Sequence, residues 1–159
     1  MQTIVSWVTE NLEGCQKPRV ESIPKYQSIL EHLEQNVTEG GREWIGTIEA
    51  GYVLDMLYQI PCRIINCGSK DQITAHFDEI KRHFESNGAP LMMGGGQDHY
   101  SKGVFGCSKV ETTGEVYLLI VDPHYTTDQK LNQFVFWLPV SELGELQSLY
   151  FTADFLKSN

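Results

Sequence analysis

An α+β domain is the fold class this sequence predicts, and three observations predict it. Apolar residues in the first half recur at helical spacing. Those in the second half come in short β-branched runs parted by turn residues. No repeat, low-complexity tract or linker divides the chain, so residues 1–159 read as one domain. Helices first and a largely antiparallel sheet after is the order expected when helices pack on a central sheet.

Ile4, Val5, Val8 and Leu12 give the first helix its apolar face, with Gly14 as a stop. Met1 opens inside that pattern with no capping residue before it, so the helix reads as cut. Pro24 sits where a second helix can begin, with Ile29, Leu30 and Leu33 on its apolar side. After Trp44-Ile45-Gly46 comes a strong helix, expected to turn Ile48, Tyr52, Val53, Met56 and Leu57 inward. Residues 62–67 (CRIINC) read as a strand. Ile73, Phe77, Ile80 and Phe84 follow at 4-3-4 spacing, which predicts an amphipathic helix ended by Asn87-Gly88.

Residues 90–93 read as a strand running into a Gly94-Gly95-Gly96 loop. Residues 104–110 and 115–121 read as two strands joined at Thr112-Thr113-Gly114. Residues 134–140 predict a further strand, Ser141 the cap of a short final helix, and residues 149–151 one more strand. Trp7, Trp44 and Trp137 are most economically core residues.

The net charge of −9 argues against a nucleic-acid partner, because phosphate binding needs a concentrated basic surface. No apolar run approaches the roughly 20 residues of a transmembrane helix, and no export signal opens the chain. A cytoplasmic protein is the expectation. Cys15, Cys62, Cys67 and Cys107 form no paired CxxC knuckle, so neither a metal site nor a disulfide framework is expected, and no cofactor. Reduced thiols on strands are the plainer account.

Two stretches carry candidate chemistry. Asp122-Pro123-His124 follows an apolar strand, and function often gathers where such a strand ends. His124 is of the residue type that suits a general base, while Pro123 restrains its neighbours. Either Asp122 or His124 acts, or one orients the other. The plain alternative is a surface turn in which Asp122 bonds the backbone and His124 is merely exposed. The second stretch is Gly94, Gly95 and Gly96, where a backbone without side chains admits close approach by a ligand. It lacks the lysine and hydroxyl of a phosphate loop. His99 beyond it, and His32, His76 and His83 elsewhere, read as solvated or flanking residues.

Several blocks in order resemble the proteases specific for the ubiquitin-fold modifier, a branch of the papain-like cysteine peptidases. They are Gln2-Thr3-Ile4 with Ser6-Trp7, Arg42-Glu43-Trp44-Ile45-Gly46 with Glu49, and Pro90-Leu91-Met92-Met93-Gly94-Gly95. Ser101-Lys102, Gly106 and Leu119-Ile120-Val121-Asp122-Pro123-His124-Tyr125 complete the set. The match is clearest over residues 2–125, and Ser101-Lys102 looks closer to the shorter of two branches. The resemblance implies a papain-like fold with helices packed on a largely antiparallel central sheet, N-terminally truncated. It implies that His124 takes a thiol proton and Asp122 orients the ring. It also implies that Gly94, Gly95 and Gly96, with Trp44, bind the modifier's glycine-ended tail in a cleft too narrow for other chains.

The family's G-W-G-C-A-Y-R-S-L-Q-T-like segment carries the nucleophile, and here Met1-Gln2-Thr3 stands where L-Q-T would be. The nucleophilic cysteine is therefore expected upstream of Met1, and this chain is expected to be inactive as a thiol protease, a pseudoenzyme that retains binding of the modifier, its conjugates or an adaptor protein. The alternative is an active protease that matures the modifier precursor and removes the modifier from conjugates, its N-terminal segment missing from this sequence. A third reading is an unrelated binding or structural domain that shares the D-P-H-Y block by coincidence.

Overall fold

Ile4, Val5 and Val8 lie on one side of a helix at Gln2–Asn11, α1, and all three are buried, as their spacing predicts. The computed structural model describes residues 2–11, 25, 26, 28, 29, 32, 47–60, 62–95, 101–124, 130–143 and 147–152. Leu12, Cys15, Trp44, Gly96, His99 and Tyr125 lie outside the described residues.

The next described helix, α2 (Thr47–Tyr58), buries Val53 as expected but turns Tyr52, Met56 and Leu57 outward. Ala50, Val53 and Leu54 face inward, whereas Tyr52, Met56 and Leu57 are exposed. This helix is apolar nearly all round, so periodicity alone does not choose its inner face; contact with Ile4, Val5, Val8, Ile60 and Met92 does. Val53 meets Tyr26, whose hydroxyl shares a 2.9 Å hydrogen bond with that of Tyr58. The helix ends at Gln59, a non-glycine residue with φ of 53°, which turns the chain so that Ile60 is fully buried.

Strand β1 (Cys62–Cys67) leads to α3 (Lys70–Ala75) and α4 (Phe77–Ser86). The single helix expected over this stretch is two, broken at His76, yet Ile73, Phe77 and Ile80 still point to one core. Gly88, at φ of 65°, stops α4 as expected; its N–H donates to Phe84 O at 3.1 Å. His83 is no flanking residue. It is 7% exposed, its Nε2 bonds Ala89 O at 2.9 Å, and its Nδ1 lies 3.4 Å from Asn87 Nδ2. That pairing satisfies both ring nitrogens of a neutral imidazole.

Strands β2 (Leu91–Gly95), β3 (Lys102–Lys109) and β4 (Val116–Val121) follow, then a short helix α5 (Leu131–Phe134) and β5 (Val135–Pro139). A 3-10 turn at Val140–Glu142 replaces the expected helix, and Ser141 lies inside the turn instead of capping one. The last described strand is β6 (Gln147–Thr152). Gly94 and Gly95 belong to β2, so the loop expected there is, over those two residues, strand.

The six strands form one sheet in the order β1-β6-β2-β3-β4-β5, and every described pairing is antiparallel. The chain's last described strand thus enters the middle of the sheet. Residues alternate between the two faces of each strand. Leu91, Met93, Val104, Val116, Leu118 and Ile120 share one face with Ile73, Phe77 and Ile80, forming the larger core. Met92, on the other face, joins α1 and α2 in a second core. Trp137, expected in the core, is 52% exposed because β5 turns it toward the face that those clusters leave uncovered. No described helix is long and apolar enough to cross a membrane.

Candidate active site

The apolar run Val116–Val121 pairs on both sides, with β3 and with β5, and the final ladder row is Gly103–Val121–Val135. Immediately beyond it, Asp122 N–H donates to Phe134 O at 2.8 Å. That bond closes the segment between β4 and α5 at its base. The residues that follow are therefore anchored to the sheet where they leave it.

Pro123 fixes the backbone between Asp122 and His124. Asp122 Oδ1 then accepts twice, from His124 N–H at 3.0 Å and from His124 Nδ1–H at 2.8 Å. The carboxylate bonds the backbone of a turn, and it also orients the ring. The Asp122 side chain is 16% exposed and that of His124 37%, so the carboxylate is sheltered while the imidazole reaches the surface. With Nδ1 donating to a carboxylate, the neutral ring carries its basic lone pair on Nε2. Such a ring is oriented to take a proton from an acidic X–H group.

The glycines converge on this end of the sheet. The β2–β3 ladder stops at Met93–Lys102, and the β3–β4 ladder stops at Gly103–Val121. Gly94 and Gly95 extend beyond the first and Asp122 beyond the second. On their other side Gly94 and Gly95 pair with Ser148 and Gln147 of β6. Trp44 and Gly96 lie outside the described residues. Sequence reasoning missed two supports of this end, the insertion of β6 beside the glycines and the Phe134 carbonyl that anchors Asp122. Neither leaves a mark in residue identity, since both act through the backbone.

The model of peptidase family C78 matches residues 1–137. The chain belongs to peptidase family C78. Among its relatives, a probable Ufm1-specific protease of Oryza sativa subsp. japonica is 36% identical over 137 residues, 85% of this chain and 21% of that protein. A probable Ufm1-specific protease 1 of Drosophila melanogaster is 34% identical over 156 residues, 91% of this chain and 63% of that protein. The crystal structure of UfSP from C. elegans matches with a TM-score of 0.76 at 30% identity, over 94% of this chain and 28% of that one. The C78 chain thus spans only part of each relative's length. Its α+β architecture, helices on an antiparallel sheet, is the papain-like fold.

Three thiols of this C78 chain are described, and all are free. Cys62 is pushed up to about 11, first by burial, then by the Asp55 carboxylate, with the N-terminal charge opposing. Cys107 is also pushed up to about 11, again first by burial, with Lys81 opposing and Glu85 adding. Burial raises Cys67 as well. A thiol at about 11 is ionised in about one molecule in ten thousand at pH 7, and only the thiolate is nucleophilic. Cys107 pairs with Leu118 on β4, well back from Val121 and the dyad beyond it, and Cys67 is in the core. No group of three or more His, Cys, Asp or Glu side chains among the described residues suits a metal ion.

Proposed function

We propose that this chain recognises the C-terminal tail of Ufm1 beside Asp122 and His124, a pair suited to the roles of orienting carboxylate and general base once a nucleophile is supplied. Gly94, Gly95 and Gly96, with Trp44, line the cleft for the tail. Family membership and relatives bearing the name Ufm1-specific protease support the substrate class. The observation that carries the reading is the 2.8 Å bond from His124 Nδ1 to Asp122, which leaves Nε2 as the basic nitrogen.

As the 159-residue polypeptide, the chain binds the tail without cleaving it. Covalent acyl transfer needs a thiolate within reach of the base. Burial disfavours that form at Cys62, Cys67 and Cys107. The second reading is a working protease that matures the Ufm1 precursor and frees Ufm1 from conjugates, its nucleophile supplied by polypeptide outside these residues. The intact Asp122–His124 pair favours it.

Reaction of the chain with mature Ufm1 bearing a thiol-reactive C-terminal group, followed by intact mass, tests the proposal. The expected result is no adduct, with saturable binding of unmodified Ufm1 in a parallel titration. An adduct on any of the four cysteines overturns the non-cleaving reading. Absence of binding overturns recognition itself.

A further inference from the structure

The sheet face that carries Met92 is covered by α1 and α2 over part of its width. Across β3, β4 and β5 the same face continues as three rows of three residues. They are Gly103, Val121 and Val135; then Gly106, Leu119 and Trp137; then Ser108, Tyr117 and Pro139. None of these nine belongs to a described buried cluster. None carries a charge, in a chain whose residues are 21% charged. An antiparallel sheet with one face in water ordinarily alternates apolar-in with polar-out. This outer face breaks that rule.

Two of its residues are glycines, and aromatic rings lie against both. A Cβ built on Gly106 would lie 3.7 Å from Cη2 of Trp137 and 3.6 Å from Leu119 Cβ, so the indole reaches across β4 onto the glycine. A Cβ on Gly103 would meet Phe105 Cε2 at 2.8 Å, so the phenyl ring occupies that space. Phe105 is the extra residue at the irregularity between Val104 and Gly106 that interrupts the β3–β4 register. Phe105 and Trp137 remain 41% and 52% exposed. Exposed aromatics over side-chain-free backbone form an apolar shelf of the kind that marks a protein interface.

We propose that this shelf seats the folded body of the ubiquitin-fold modifier while its tail runs to His124. The inference rests on the reading above and extends it from the tail to the body. Continuity with the dyad selects this occupant. The first row of the shelf passes through Val121, and Asp122 is the next residue. From Asp122 back to Leu119 is about 10 Å at a strand rise of about 3.3 Å per residue. Three or four extended tail residues span that distance. A folded partner that meets the shelf while its tail reaches His124 engages both places together, and each contact raises the effective concentration of the other. A second copy of this chain fits less well, because two bodies of charge −9 repel.

The test is a titration of the chain with mature Ufm1 and, separately, with a peptide of the Ufm1 tail. Full-length Ufm1 is expected to bind at least about tenfold more tightly than the tail. Trp137→Ala and Phe105→Ala are each expected to weaken Ufm1 about tenfold and to leave the tail unchanged. Circular dichroism shows whether each variant keeps its fold, and because both side chains are largely exposed, two independent variants report on one surface. If the tail binds but Ufm1 binds no tighter, or if both variants bind Ufm1 like the parent, the shelf is not the seat and the tail reading survives. If neither ligand binds, the tail reading fails and the shelf proposal with it. Self-association that Trp137→Ala abolishes would assign the shelf to a second copy and overturn the proposal.

Discussion

Strands β1 and β2 carry described helices on both faces, whereas among the described residues β3 and β4 bury side chains on one face only, and β5 adds the partly buried Phe136 and Leu138 to that face. In the first region Ile65 and Cys67 meet α3 and α4 while Cys62 and Met92 meet α1 and α2. In the second, Leu118 and Ile120 are fully buried while their chain neighbours Leu119 and Val121 are half-covered. The larger core runs beneath both parts and holds them together. The singly covered part leaves a strand end, a dyad and an apolar surface accessible. A sheet can thus serve as scaffold at one side and as a recognition surface at the other, with the strand period separating the two roles residue by residue.

Four experiments sharpen or break this comparison. The largest effect is expected from Leu118→Ala, which empties space in the larger core and should cost about 2–5 kcal/mol in urea unfolding. A loss under about 1 kcal/mol would mean that the covered face of β4 is no more important than the bare one. The next is alkaline destabilisation. Cys62 and Cys107 have thiol values raised from 9.0 to about 11 in the folded chain, so the folded state holds their protons more tightly. The stability this gives is present below pH 9 and is lost as pH rises from about 9 through about 11. The Tm should fall across that window, and Cys62→Ala with Cys107→Ala should flatten the fall; an unchanged slope would show that the thiols are not buried as described.

A smaller effect is expected of Trp137→Ala. It removes a half-exposed ring from the uncovered face and should cost under about 1 kcal/mol, in contrast to Leu118→Ala on the adjacent strand. A large loss would place Trp137 in a core. The smallest change in stability is expected of Asp122→Ala, whose effect belongs to the site. Nitrogen-15 NMR of the His124 ring should show Nδ1–H in the parent chain and a shift toward the Nε2–H form in the variant. An unaltered tautomer would remove Asp122 from the orienting role.

Much of this was legible from residue order. Ile4, Val5 and Val8, and Ile73, Phe77 and Ile80, announce buried helix faces because polar residues separate them at helical spacing. The strands around residues 104–110 and 115–121 are legible because their turn contains Gly114, at φ of 75°. The sequence left open whether Asp122 bonds the backbone or the His124 ring, and in the turn its Oδ1 bonds both. Less legible was α2. Its apolar residues ring the helix, so the choice of Val53 and Leu54 over Tyr52 and Met56 came from the neighbours. His83 looked like a flank residue because its partner, the Ala89 carbonyl, is a backbone group that no side-chain pattern reveals.

The sequence by itself determined the α+β class, the helix faces with sharp polarity, the strand that ends at Asp122, and the family to which those blocks belong. These depend on local periodicity and on side-chain chemistry within a few residues. Only the tertiary structure decided that β6 enters between β1 and β2, that Gly94 and Gly95 are strand, and that Trp137 faces away from the described cores. Those outcomes depend on which strands pair and which face a helix covers. They are long-range choices, fixed by backbone hydrogen bonds available to every residue and by packing partners far away in the chain.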